Sequence, residues 1–222
     1  MKVLALASYP VEAAATRYRL TQFVAPLAEQ GIALSVRPFL DSRLFAALYQ
    51  RAAAPRTAVG LLRSSVNRLG DAWRAQHYDV LLVQREAMMF GPPVIEWLAT
   101  RSGRCPMVLD LDDATYVSYQ SPTFGRLGSA LKWFSKTDDL IRWARVVVCG
   151  NRSIAAYVKA KGTPAEIIPT VVDTELFRPA NRPRNSDAPV LGWIALIRRT
   201  PTWSRFTRCC NVWQSASGFA SR

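Results

Sequence analysis

Short apolar runs alternate with segments of helical periodicity along most of this chain, and that alternation limits the fold more than any other feature. Val3-Leu4-Ala5-Leu6-Ala7, Val80-Leu81-Leu82-Val83, Met107-Val108-Leu109 and Val146-Val147-Val148 are continuous apolar runs, the pattern of strands covered on both faces. Residues 32–38 alternate apolar and polar side chains and read as a second strand, and Glu166-Ile167-Ile168 reads as a sixth. Leu20, Phe23, Val24 and Leu27 fall at i, i+3, i+4 and i+7, which predicts a helix ended by Gly31 and kinked or restarted at Pro26. Residues 93–100, 124–144 and 151–161 predict further helices. Strand and helix in this order imply right-handed crossovers and a parallel sheet with helices on both faces, an α/β fold of Rossmann-like type.

The 222 residues hold one full domain and a remainder, since single domains typically run to roughly 100–200 residues. The α/β domain is expected over residues 1–177, followed by a proline-punctuated linker over 178–189. Val190-Leu191-Gly192-Trp193-Ile194 then restarts a buried strand, but residues 195–222 carry five Arg, no acid and no regular period. That stretch is expected to be a disordered, non-native tail. The apolar start is broken at Tyr9-Pro10, too early for a signal peptide, and no uncharged stretch approaches the roughly 20 apolar residues of a membrane span. Four cysteines without a C-x-x-C pair and a single histidine, His77, offer no zinc spacing and suit a reduced, cytoplasmic chain.

Lys and Arg number 29 against 16 Asp and Glu, a net charge of +13. This favours anionic partners, or it reflects a GC-rich gene. Residues 42–75 read as two helices meeting near Pro55, with Arg43, Arg51, Arg56, Arg63 and Arg68 and no acid between Asp41 and Asp71. Leu44, Phe45, Leu48, Leu61, Leu62, Val66 and Leu69 supply their apolar faces. Such a basic amphipathic segment suits an anionic membrane surface, with attachment at the inner face, or an ordinary solvated helix face.

In an open parallel sheet, ligands bind beyond the carboxyl ends of the strands. Ser8-Tyr9-Pro10 follows the first strand, and neither G-x-G-x-x-G nor G-x-x-x-x-G-K-[ST] occurs anywhere, so the usual phosphate cradles of dehydrogenases and NTPases are missing. Asp110-Leu111-Asp112-Asp113 follows the fourth strand. A carboxylate there could accept a proton or orient a sugar hydroxyl, cap a helix or stiffen a turn, or bind a metal as a D-x-D motif. Arg17 and Arg19 lie early in the first helix and Gln84-Arg85-Glu86 follows the third strand. The two arginines suit an anionic ligand or pair with the aspartates. After the fifth strand, Asn151 or Ser153 is placed to cap the next helix. His77 precedes the third strand, on the wrong side of the sheet for catalysis, and Cys149 has no histidine partner, which argues against a nucleophilic hydrolase.

Thr16-Arg17-Tyr18-Arg19, Tyr78-Asp79-Val80 through Glu86, Asp110 to Ala114, Gly150-Asn151-Arg152 and the run from Ile168 through Phe177 together resemble the amino-terminal domain of a GT-B glycosyltransferase of the family-4-like kind. The resemblance implies two Rossmann-like domains, the first holding the acceptor and the second the nucleotide-sugar, with transfer between them, no cofactor and no obligatory metal. It assigns Asp112 and Asp113 as catalytic, Arg17, Arg19, Arg85 and Asn151 as acceptor-binding, and Val172 and Asp173 as the passage between domains. The acceptor would be a glycan or a lipid-linked sugar, and a nucleotide-sugar donor is expected only of a complete enzyme. The donor half would carry a glutamate pair, yet no Asp or Glu follows Asp187. The expectation is therefore a truncated, frameshifted enzyme, inactive alone. Two alternatives remain open: a non-catalytic basic module binding anionic lipid or nucleic acid, without a specific nucleic acid partner, and a metal-dependent glycosyltransferase built on Asp110-Leu111-Asp112.

Overall fold

The computed structural model of the chain describes residues 1–47, 54–101, 105–118 and 131–179. Six strands, β1 (Lys2–Ala7), β2 (Ala33–Pro38), β3 (Val80–Gln84), β4 (Met107–Leu111), β5 (Val146–Cys149) and β6 (Ala165–Ile167), form one sheet. Every neighbouring pair is parallel, in the order β2-β1-β3-β4-β5-β6. The Rossmann-like α/β expectation holds. From β1 the chain first steps outward to β2 and then returns to the other side for β3, so the topological switch point lies between β1 and β3.

The helices are α1 (Ala14–Arg19), α2 (Val24–Glu29), α3 (Ser42–Ala47), α4 (Ala54–Arg74), α5 (Val94–Arg101), α6 (Lys136–Trp143) and α7 (Arg152–Ala160). Strand register explains why the central runs are apolar throughout. Leu4, Leu6, Leu81, Val83, Leu109, Val147 and Cys149 share one face and pack with Ala72, Ala75, Ile95, Leu140 and Ile154. Ala5 and Ala7 face the other way, against Leu20 with Leu34, Val36 and Leu82.

The single helix expected around Leu20 to Leu27 is instead three pieces, α1, a 3-10 turn over Thr21–Phe23, and α2. Leu20 leaves helical geometry at φ −128°, ψ −61° while its side chain is buried in the core. Pro26 sits at the third position of α2, where an amide has no partner within the helix, so the missing N–H costs nothing.

Helix α4 corrects one expectation. Arg68, counted with the solvated basic face, is fully buried. Its Nε donates to the Ala87 carbonyl, one terminal nitrogen to the Arg37 carbonyl and Asp71 Oδ2, and the other to the Ala7 carbonyl. One guanidinium thus ties together the ends of β1 and β2 and the loop after β3. Burial is the main cause that pushes the Arg68 pKa down to about 10, against the pull of Asp71. Leu62, Val66 and Leu69, which supply an apolar face of this segment, point outward.

The chain divides into Met1–Arg178 and Pro179–Arg222. Beyond Pro179, the expected linker, the strand over 190–194 and the tail with its two cysteines lie outside the described residues. So do Arg51, Leu48 and residues 124–130 of the long helical segment.

Candidate functional site

The carboxyl ends of β1, β3 and β4 carry the polar residues of interest, and short bonds hold them. The Ser8 hydroxyl donates to the Glu86 carbonyl at 2.9 Å, and the Thr16 hydroxyl to the Tyr9 carbonyl at 2.8 Å, so the loops after β1 and β3 are tied across the switch point. Tyr9 packs edge-on against Phe45, ring centroids 5.7 Å apart.

Arg85 leaves β3 with a left-handed backbone, φ 63°, a conformation uncommon for any residue other than glycine. Its amide donates to the Asp110 carbonyl. Its guanidinium meets Asp112 side-on, Nε to Oδ1 and the terminal nitrogen to Oδ2, both at 2.6 Å. This bidentate geometry is the strongest form of the arginine–carboxylate pair. Burial would lower the Arg85 pKa, but the bonds and charge of Asp112 outweigh it and raise it. Asp113 stands 4.0 Å from the same guanidinium, with its side chain 73% exposed. Behind them Gly150 lets the strands close, since a Cβ there would meet Asp112 Cα and O at 3.1 Å.

Glu86 forms a second cluster, paired with Lys132 and, at 2.7 Å, with the buried Lys136. Lys136 also donates to the Met88 carbonyl at 2.7 Å. Tyr9, Arg85, Glu86, Asp113, Thr115, Val117 and Lys132 line a pocket of about 360 Å³ at this edge, within the roughly 300–1,000 Å³ of small-molecule sites. Among the described residues its walls carry two cations, Arg85 and Lys132, and two carboxylates, Glu86 and Asp113, while Asp112 and Lys136 pair with Arg85 and Glu86 outside the lining. A chain of net charge +13 thus presents a charge-balanced pocket.

The residues singled out from the sequence separate into groups. Arg85, Asp112 and Asp113 come together. Asp110, expected to follow β4, lies inside it and is held by Arg19 through a bidentate pair. Burial raises the Asp110 carboxyl pKa, and Arg19 offsets this only in part. Arg19 sits in the last turn of α1, and its other nitrogen donates to the Ile168 carbonyl at 2.6 Å. Both residues are built into the fold rather than facing the pocket. Arg17 is exposed, 5.0 Å from the Tyr18 ring, and does not line the pocket. Asn151 caps α7, accepting from the Ile154 amide at 3.0 Å.

Val172 is half exposed, and Asp173 Oδ1 accepts the amides of Glu175 and Leu176 in a tight turn. This segment lies against α1 and the 3-10 turn that follows it: Gln22 donates to the Val171 carbonyl and Tyr18 packs near Phe177. His77 sits at the amino end of β3, edge-on to Trp73. Cys149 is buried, and burial pushes its thiol pKa up, which suits packing rather than nucleophilic chemistry.

Sequence reading missed Lys132 and Lys136, which approach Glu86 from 46 and 50 residues further along the chain. No local spacing signals that meeting. Among the described residues, no group of His, Cys, Asp or Glu side chains could hold a metal ion, and guanidinium groups already occupy both Asp110 and Asp112.

The fold defines the class, a doubly wound α/β protein with a pocket at its switch point. The chain matches no model of a known protein family and no curated protein. No helix among the described residues is long and apolar enough to cross a membrane.

Proposed function

We propose that the domain is the acceptor-binding half of a sugar-transfer enzyme of the GT-B type, and that its switch-point pocket takes a neutral, hydroxyl-rich acceptor, a glycan or the sugar of a lipid-linked saccharide. The observation that carries this reading is the balanced charge of the pocket. A phosphate or carboxylate ligand would be drawn to a surplus of cations, whereas carboxylates paired with the Arg85 guanidinium and the Lys132 ammonium offer acceptors and donors suited to hydroxyl groups. Tyr9 adds an aromatic surface for the apolar face of a sugar ring. The loop after β1 has no glycine, so it lacks the backbone cradle that grips pyrophosphate in nucleotide sites of this topology.

Within this reading Asp113 is the catalytic residue, because its exposed carboxylate can reach a bound hydroxyl. It takes the acceptor proton as the hydroxyl oxygen forms its bond to the donor sugar's anomeric carbon, and the bond to the nucleoside diphosphate breaks with its electron pair. Asp112 is a positioning residue that holds Arg85. Val172 and Asp173 belong to the passage toward a donor-binding half. That half must be present for transfer, because bringing donor and acceptor to reacting distance supplies much of the rate gain.

The experiment is a backbone-amide NMR titration of the chain with neutral glycosides and with inorganic phosphate. Glycosides are expected to shift the Glu86, Asp113 and Thr115 amides in a saturable way. Phosphate shifting those amides while no glycoside does would overturn the reading.

A further inference from the structure

A different surface of the domain carries exposed apolar side chains beside arginines. Along α4, Val59, Leu62, Val66, Leu69 and Trp73 follow one another at spacings of three and four residues and are 50–70% exposed. That is a continuous apolar strip, running about 20 Å at the α-helical rise, on a helix whose other face is packed on the core through Arg68, Asp71 and Ala72.

Beside the strip, α3 and α4 enclose a groove of about 390 Å³ in which Arg43, Arg56 and Arg63 converge. Among the described residues none of the three forms an ion pair. Asp41 is the one carboxylate lining the groove among the described residues, and it accepts the Leu44 amide at the start of α3. Thr57, also on the groove wall, has a buried hydroxyl with no hydrogen-bond partner among the described residues. Gly60 lets the two helices close, for a Cβ there would sit 2.8 Å from Leu44 Cδ1.

A partner for this face must be apolar along one strip and anionic along the next. A second copy of the chain fits poorly, because it would set arginine rim against arginine rim. A nucleic acid meets the arginines but gains nothing from Val59, Leu62 and Val66. We infer that α4 and the groove beside it dock on an anionic phospholipid bilayer, with the apolar strip in the boundary between headgroups and acyl chains and Arg43, Arg56 and Arg63 on lipid phosphates. This inference stands on surface geometry alone and does not depend on the sugar-transfer reading.

The test is sedimentation of the full chain with vesicles of phosphatidylcholine alone and of phosphatidylcholine and phosphatidylglycerol in equal parts, with a short DNA duplex as a parallel ligand. The chain is expected to bind the anionic vesicles. Arg56→Gln with Arg63→Gln should weaken that binding about 20- to 30-fold, from roughly a fivefold effect per arginine near an anionic surface. Leu62→Gln with Leu69→Gln should weaken it at least as much while leaving far-UV circular dichroism unchanged, since both side chains are exposed. Brominated lipid should quench tryptophan fluorescence in the wild type and less so in Trp73→Phe. Vesicle binding insensitive to the leucine pair would overturn the inference. So would DNA binding lost with the arginine pair alone and no vesicle binding, or a dimer abolished by the leucine pair without vesicle binding.

Discussion

Arg68→Met is expected to destabilise the domain by about 3–5 kcal/mol, because each buried carbonyl left without its donor costs roughly 1–3 kcal/mol. The side chain is 1% exposed, and its guanidinium satisfies the carbonyls of Ala7, Arg37 and Ala87 as well as Asp71. Methionine fills much of the volume but donates nothing, so three carbonyls at the carboxyl edge of the sheet lose a donor. Arg37 and Arg74 still reach Asp71, which keeps its charge compensated and holds the loss within that range. Lysine cannot substitute, because one ammonium on a longer stem cannot span carbonyls from three separate segments. Denaturant unfolding measures the effect, with exposed Arg63→Met as the control, expected to fall within about 0.5 kcal/mol of wild type. A loss below about 1 kcal/mol for Arg68→Met would mean that the edge is not held by this residue.

Arg85→Met carries the largest expected effect on the pocket, a fall in glycoside affinity of roughly 10- to 100-fold, the worth of one charged hydrogen bond. Two consequences combine. The guanidinium no longer lines the pocket, and Asp112, whose side chain is only 12% exposed, is left without its bidentate partner. Asp112→Asn separates these consequences, for an amide keeps the shape but can accept only at its oxygen. It should retain part of the affinity. Asp113→Asn should bind glycoside nearly as wild type does, because the role proposed for it is to accept a proton. In an assembled transferase the same change should lower kcat far more than it raises KM. Equal binding losses for Asp112→Asn and Asp113→Asn would reverse the roles given to the two carboxylates.

The sheet was legible because strands buried on both faces leave a mark that survives without tertiary information. Val80 to Val83 and Val146 to Val148 are apolar whichever way each side chain turns. The partly exposed β2 betrays itself by alternation instead. The direction of α4 was less legible. Its apolar residues fall on two stripes, and only packing decides that Ala72 faces inward with Arg68 while Leu62 and Leu69 face out. One signal was present: Arg68 and Asp71 stand three residues apart on the face that also carries Ala72.

At the site, the sequence marked Arg85, Asp112 and Asp113 as residues following strands, because the position after a strand is local information. It left open whether Arg19 and Asp110 pair, which requires knowing that α1 folds back over β4. It held no sign of the Glu86–Lys136 pair, which depends on where a helix fifty residues away comes to rest.

Isothermal titration calorimetry of the chain against a UDP-sugar, a GDP-sugar and a neutral glycoside, each repeated with Arg85→Met, tests the central claim most directly. A domain built to receive a sugar gives saturable heat with the glycoside, lost in the variant, and none with either nucleotide. Micromolar binding of a nucleotide-sugar that Arg85→Met abolishes would contradict it, because the pocket at the switch point would then be a donor site.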